Sequence, residues 1–335
     1  MKKLSILITV AVFMLASCKK DSSIFLPNAG QELDSIWVST ISEQSKISEL
    51  TKSIIPAAPL TDSVVILPAD STGMKDTTII RRELFDIVIP PDALKGSVTS
   101  DVVGKINFVM FLLRKKGDYI RLQQSTISND RSLLNSGGGF FLRFFRGNEE
   151  LNIAPGKNIL VRFNDPAPLQ NMKVYYGPDN VVSPIPSNFG ATWTASTTST
   201  YVKPIQRNYN TANYYGYEIL TDKLKWVNAG LNFSTGIDLI NLSVFVPDLF
   251  SNANTEAYIV FKDTRTVVKL TGDVSSRKFV AEKIPLNKSA VIVTISKVSN
   301  DYFLGTKEII TSDKPVEVKP LATSLDAIIA HLNSL

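Results

Sequence analysis

Residues 102–113 read VVGKINFVMFLL, and together with residues 77–82 (TTIIRR), 85–89 (FDIVI), 139–145 (GFFLRFF) and 158–163 (NILVRF) they decide the fold. Each run is short, rich in β-branched and aromatic residues, and bounded by Gly, Pro, Asn or Asp, as strands separated by turns are. Residues 118–123 (DYIRLQ) read as a further strand in the same series. A second series begins at Leu224: LKWVNA (224–229), LINLSVFV (239–246), TEAYIVFK (255–262), VVKLTG (267–272), KFVAEK (278–283), AVIVTISK (290–297) and YFLGTKEI (302–309). Asn252-Ala253-Asn254, Gly272-Asp273 and Ser299-Asn300-Asp301 supply its turns. Two such series predict a mainly β chain with two β-sandwich domains, at residues 76–165 and 225–320. Residues 321–335 close the chain with a short helix, with Thr323 as N-cap, Asp326 three residues on, and Leu325, Ile328, Leu332 and Leu335 on one face.

A length of 335 residues leaves room for two domains, and 44% hydrophobic with 20% charged residues is globular composition. One Cys and one His exclude a disulfide framework and a Cys/His metal site, and any catalytic triad would have to use His331. No cofactor motif is present. Residues 18–75 read as a tether: Pro27, Pro56, Pro59 and Pro68 break it, and Leu33, Ile36, Trp37, Ile47, Leu50 and Ile54 place one amphipathic helix within Glu32–Ser53.

The chain opens MKKLSILITVAVFMLASC. Lys2 and Lys3 precede an apolar run, Leu4–Leu15, and this is the pattern of an export signal over residues 1–17. As a helix the run rises about 18 Å, short of the roughly 30 Å of a bilayer core. Leu15-Ala16-Ser17-Cys18 resembles the lipobox of bacterial lipoproteins, which implies cleavage before Cys18 and acylation of its thiol. Several acyl chains anchor firmly where one is marginal. Loss of Lys2 and Lys3 leaves 34 basic residues against 31 acids, so the net charge falls from +5 to +3. Lys19-Lys20-Asp21 resembles the export tag of Bacteroidota surface lipoproteins, and Asp34-Ser35-Ile36, Asp62-Ser63-Val64, Asp70-Ser71-Thr72 and Asp76-Thr77-Thr78 resemble Bacteroidota O-glycosylation acceptors.

Within the first β series, Ile87-Val88-Ile89-Pro90-Pro91-Asp92-Ala93-Leu94, the long strand after Gly104, the turn Leu133–Phe140 and Gly147-Asn148-Glu149-Glu150-Leu151 resemble a ZU5-like module. That resemblance implies an interaction or structural domain without catalytic residues. In the second series, Trp226-Val227-Asn228, Ala257–Asp263 and the Ile284-Pro285 turn resemble the Ig-like C-terminal domain of uncharacterised Bacteroidota envelope lipoproteins. Those often carry a Cys two residues after the Asn, where this chain has Gly230.

Between the two series, residues 166–224 hold seven of the ten tyrosines in a Thr/Ser/Asn/Pro background, joined by Phe189 and Trp193. Tyr175, Tyr176, Trp193, Tyr209, Tyr214, Tyr215 and Tyr217 are the candidate binding residues, because aromatic faces stack on sugars and dominate protein interfaces; core packing is the competing explanation. Other chemistry has weaker footing. His331 lies near a chain end, Glu149, Glu150, Asp165 and Glu218 have no readable separation, Gly137-Gly138-Gly139 suits a hairpin, and Arg114-Lys115-Lys116 with Arg121 suits a solvated hairpin tip. The expectation is a non-enzymatic, lipid-anchored cell-envelope module, held at the outer membrane through Cys18, with an envelope protein or a surface glycan as partner and no nucleic acid.

Overall fold

The run at residues 102–113 becomes a strand whose two faces are both buried. Ile106, Phe108 and Met110 enter one apolar layer, while Phe111 and Leu113 enter another. The computed structural model describes residues 35–55, 59–97, 102–178, 192–233 and 238–335. The chain divides into Met1–Leu33, which lies outside the described residues, and Asp34–Leu335, which contains everything that follows.

The first half of this unit supplies β1 (Leu60–Ile66), β2 (Thr78–Arg81), β3 (Phe85–Ile89), β4 (Leu94–Lys95), β5 (Gly104–Leu113), β6 (Leu134–Arg146), β7 (Glu149–Ile153), β8 (Ile159–Asn164), β9 (Lys173–Tyr176), β10 (Thr194–Ala195), β11 (Tyr201–Tyr209), β12 (Ala212–Thr221) and β13 (Lys225–Asn232). The second supplies β14 (Leu239–Phe245), β15 (Thr255–Phe261), β16 (Val267–Lys269), β17 (Thr271–Asp273), β18 (Lys278–Pro285), β19 (Ser289–Val298), β20 (Asp301–Ile310), β21 (Val316–Glu317) and β22 (Leu321–Thr323). Three helices accompany them among the described residues: α1 (Lys46–Ile54), α2 (Lys116–Arg121) and α3 (Leu325–Ser334).

These strands form four sheets. Sheet 1 has the order β11-β12-β8-β3-β2, and sheet 2 runs β1-β5-β6-β13-β9-β10 with β7 on β6 and β4 on β7. Sheet 3 runs β16-β15-β19-β20-β22, and sheet 4 runs β17-β18-β14-β21. Pairing is antiparallel except between β14 and β21. Ile80, Phe85, Ile87, Val161, Phe163, Tyr217 and Ile219 of sheet 1 meet Ile106, Phe108, Phe140, Leu142 and Phe144 of sheet 2 in one core. Leu242, Val244 and Phe279 of sheet 4 meet Ala257, Ile259 and Ile292 of sheet 3 in another. A third, central layer joins the opposite faces of sheets 2 and 3. It holds Phe111, Phe141 and Trp226 on one side, Tyr258, Val260, Val293 and Ile295 on the other, and Ile47, Leu50, Ile120, Ile328 and Leu332 from the helices.

Burial on both faces explains the sequence character of the inner strands. A strand with one wet face alternates, whereas FVMFLL in β5, FFL in β6 and the wholly buried β15 read as continuous apolar runs. The edge strand β1, LTDSVVI, pairs along its whole length with β5 but keeps an exposed, polar character. It lies in the stretch expected to be tether, where exposure had erased the strand signal.

Local chemistry accounts for other differences. Residues 118–123 were expected as a strand, yet Lys116–Arg121 is helical, because the Asp118 carboxylate accepts from the backbone NH of Arg114 and Lys115, both at 2.8 Å, while Tyr119 and Ile120 drop into the central layer. Gly137–Gly139 was expected as a hairpin but lies inside β6, where the register against β13 slips by one residue. A Cβ on Gly139 would sit 2.4 Å from the Val227 carbonyl oxygen, and Gly138 has φ +107°, so this bulge tolerates little else. β13, grouped by composition with the second series, pairs with β6 and β9 in sheet 2. Helix α3 starts one residue later than expected: Ser324, not Thr323, caps it by accepting from the Ala327 NH at 3.1 Å. Its apolar face is the expected one, with Ile328 and Leu332 buried and Leu325 and Leu335 packed beside them.

The basic run Arg114–Lys116, expected at a solvated tip, fastens the central layer instead. Lys116 Nζ donates to the carbonyls of Phe261 and Lys262 in the segment leaving sheet 3, and Arg121 donates to Ile54 of α1 and Asn333 of α3. Because Leu332 is fully buried in that shared layer, Leu332→Ala is expected to cost about 2–5 kcal/mol. Urea unfolding followed by tryptophan fluorescence and far-UV circular dichroism should show the two signals shifting together; loss of one sheet pair alone would contradict the shared layer.

Candidate functional site

The inner strands of sheets 2 and 3 are buried against a shared layer, whereas sheet 1 carries a row of charged side chains on its outer face. Its strands alternate: Val202, Tyr217, Ile219, Val161, Phe163, Phe85, Ile87 and Ile80 point to the core, which turns Lys203, Glu218, Arg162, Asp86 and Arg81 outward. These five stand directly opposite one another in register across all five strands. The row alternates in sign: Lys203, Glu218, Arg162, Asp86, Arg81.

Glu218 accepts from Arg162 Nε at 2.6 Å, Lys203 Nζ at 2.7 Å and the Tyr201 hydroxyl at 2.8 Å. Burial pushes its carboxyl up, but the bonds from Lys203, Arg162 and Tyr201 outweigh that and hold it below the ordinary range. Arg207 crosses the sheet from β11. Its guanidinium makes a forked pair with Asp86, Nη2 to Oδ1 at 2.7 Å and Nε to Oδ2 at 3.1 Å, and donates further to Asn164 Oδ1 and to the carbonyls of Glu83 and Arg82. Gly216, opposite Asn164, lies so close to β8 that a Cβ there would sit 2.0 Å from the Phe163 carbonyl oxygen. The rings of Tyr209 and Tyr214 flank the same guanidinium, each with its centroid 5.9 Å from Cζ. A two-residue turn places them, and both of its residues, Asn210 and Thr211, have positive φ as a type I′ hairpin requires.

Between these groups lies an open groove of about 420 Å³, lined by Arg81, Asp86, Arg162, Lys203, Arg207 and Glu218 with Ile205, Gln206 and Asn208. It holds four cations and two carboxylates. Arg207 occupies both oxygens of Asp86, and among the described residues the exposed Arg81 guanidinium makes no hydrogen bond or ion pair of its own.

The seven aromatic candidates separate into two groups. Tyr175 and Trp193 are buried in the central layer, Trp193 donating from Nε1 to the Ser125 carbonyl at 2.6 Å. Tyr176 and Tyr217 are buried between sheets 1 and 2. Tyr176 donates to Asp222, and its hydroxyl is pushed up to about 12 by burial and by that carboxylate. Tyr217 packs on Phe163 at 5.9 Å and accepts from the Leu169 NH. Those four rings offer no face to a ligand, because core packing has claimed them. Tyr209 and Tyr214 are half-buried beside Arg207, and Tyr215 is 58% exposed. Cys18 and Phe189 lie outside the described residues.

Each carboxylate singled out by sequence has a cation. Glu149 pairs with Arg146, Glu150 with Arg143, Asp165 with Arg265 and Glu218 with Arg162 and Lys203. The Arg146 guanidinium and the Ser97 hydroxyl and NH hold Glu149 down at about 2. His331 is half-buried and depressed by burial, and its Nε2 has no partner among the described residues. No group of three His, Cys, Asp or Glu converges as a metal site among the described residues, and no helix there is long and apolar enough to cross a membrane. Arg81, Arg162, Lys203 and Arg207 were missed as site residues; the period-two spacing of Lys203, Ile205 and Arg207 was the available signal. Comparison with protein-family models, characterised proteins and solved structures gives no match.

Two outcomes are expected. Arg207→Ala strands a buried Asp86 and should destabilise the fold by about 3–5 kcal/mol in urea unfolding; Arg207→Lys, which keeps the charge but not the fork, should recover only part of that. Because Glu218 is depressed in the folded state, the stability it confers is complete above its unfolded value of about 4.3 and is lost as pH falls through the lower folded value. Melting temperature against pH should therefore fall less steeply below pH 4 in Glu218→Gln than in the parent protein.

Proposed function

We propose that the chain is a non-enzymatic, lipid-anchored binding module of the cell envelope, and that its contact surface is the outer face of sheet 1. The observation that carries the second part is the excess positive charge along one open groove there, with the rings of Tyr209 and Tyr214 flanking Arg207 beside it. The carboxylates of that face are engaged in ion pairs with neighbouring cations, an arrangement suited to holding a ligand rather than exchanging protons with it. The anchoring part rests on the amino-terminal sequence alone, in which the only Cys of the chain follows an apolar run and two small residues. On this proposal the pairing of sheets 1 and 2 is a ZU5-like sandwich and that of sheets 3 and 4 an Ig-like one, display modules that carry loops and faces toward a partner.

A second reading, glycan capture, has a specific observation in its favour. An apolar protein interface would set rings on a flat hydrophobic patch, whereas Tyr209 and Tyr214 flank the charged Arg207 guanidinium next to a groove lined mainly by charged side chains.

Fractionation with Cys18→Ser tests the anchor: the parent protein should sediment with membranes and the variant should not, and equal sedimentation of the two would remove lipidation from the proposal. Protease treatment of intact and lysed cells, with a periplasmic marker as control, then assigns the face. Degradation on intact cells supports surface capture or adhesion, and protection until lysis directs the search to periplasmic protein partners.

A further inference from the structure

The row across sheet 1 has a chemical preference of its own. Its cations stand on alternate strands, Lys203 on β11, Arg162 on β8 and Arg81 on β2, with Glu218 and Asp86 on the strands between. Two strand spacings separate successive cations, about 10 Å. The carboxylates do not cancel them: Asp86 is taken by Arg207 from outside the row, so Arg81 keeps its full charge, and the single charge of Glu218 is shared by Arg162 and Lys203. Two positive charges therefore remain in excess, one on Arg81 at the β2 edge and one shared between Lys203 on the β11 edge and Arg162 on the middle strand. Tyr209 and Tyr214 flank the Arg207 guanidinium beside the groove.

We propose that this groove binds an acidic polysaccharide, laid across the strands so that its carboxylates meet Arg81 on one edge strand, Arg162 on the middle strand and Lys203 on the other edge strand. The proposal rests on the reading of this face as the contact surface and adds the ligand's class. Sparse anions separated by uncharged hydroxyl-bearing rings suit cations set about 10 Å apart with the carboxylates of Glu218 and Asp86 between them, where a closely spaced phosphate would be repelled. A nucleic acid presents a phosphate at every nucleotide and would set negative charge against those two residues. Arg81 is the specific element: exposed, without a partner of its own among the described residues, and placed to pair in fork geometry with a ligand carboxylate.

Binding of the full-length chain in detergent to polygalacturonate, to the same polymer fully methyl-esterified, and to double-stranded DNA tests this. Polygalacturonate should bind, the neutral ester should bind at least about tenfold more weakly, and Arg81→Glu should lower polygalacturonate affinity by about tenfold or more, the scale of one charge-assisted contact. The variant's melting temperature should match the parent's, since Arg81 is exposed and forms no pair. Raised salt should weaken polygalacturonate binding. Equal binding of the ester and the acid would overturn the acidic class while leaving the face as a sugar site. Failure of both polymers to bind would remove the contact-face reading as well. DNA bound as tightly as polygalacturonate, with the same loss in Arg81→Glu, would show a surface for any polyanion and overturn the saccharide; an unchanged Arg81→Glu affinity would overturn the placement of the ligand.

Discussion

The apolar layer shared by sheets 2 and 3 is the constraint on which the rest of the structure depends. Phe111, Phe141 and Trp226 on one side and Tyr258, Val260, Val293 and Ile295 on the other belong to sheets whose opposite faces are already buried. A sheet that is apolar on both faces cannot stand with one of them in water, so neither sheet pair closes alone. The three helices fill the space that two twisted sheets leave between them. Their polar ends are satisfied where they meet the strands: Lys116 and Arg121 supply donors to carbonyls, and Lys297 reaches Glu49 at 2.6 Å. The segment after sheet 3's β15 is fastened to the first half by backbone as well as charge, through Ser136 NH of β6 to the Arg265 carbonyl and Arg265 to Asp165, which follows β8. One consequence is functional. With the inner strands of sheets 2 and 3 packed against one another, the outer face of sheet 1 is left open to a ligand.

Strand existence was legible because the inner strands are the most apolar stretches of the chain, and α3 because its four apolar residues fall on one helical face. What escaped was whatever depends on a partner distant in sequence. LTDSVVI reads as tether until β5 is placed beside it. DYIRLQ carries strand-like residues, but one carboxylate at Asp118 caps the preceding backbone and two buried side chains, Tyr119 and Ile120, turn the segment into a helix. Three consecutive glycines suggest a turn, whereas a strand bulge needs them just as much when a neighbouring carbonyl approaches to 2.4 Å. The strand at residues 225–232 carries nothing that states which sheet it joins.

The aromatic-rich segment was a sound place to look for a site, and the reason only part of it serves is parity. Along β12, Tyr217 points to the core and Tyr214 to the outer face, as period two demands. Tyr215 shares the inward parity of Tyr217 yet stays exposed, because β12 pairs with β8 only from Gly216 onward and the ring lies beyond the covered part of the sheet. The charge row as a row was not legible beyond the period-two spacing along β11. Lys203, Glu218, Arg162, Asp86 and Arg81 come from five strands spread over more than a hundred residues, and only the register brings them into line.

Arg207 gives that row its character. A buried Arg–Asp pair contributes little stability beyond what an apolar pair of similar volume would give, since desolvation offsets most of the attraction. Its effect is positional: Arg207 spends every donor on Asp86, Asn164 and two backbone carbonyls, so it is fixed in place and has none left for a ligand. By occupying Asp86 it also denies Arg81 the carboxylate that stands opposite in register. An alternating row that would otherwise come near to neutralising itself is left with uncompensated charge at its edge, while its middle is held rigid. A surface salt bridge between Arg81 and Asp86 would have added less than about 1 kcal/mol, so the arrangement gives up little stability and leaves a positioned, unpaired guanidinium facing an open groove.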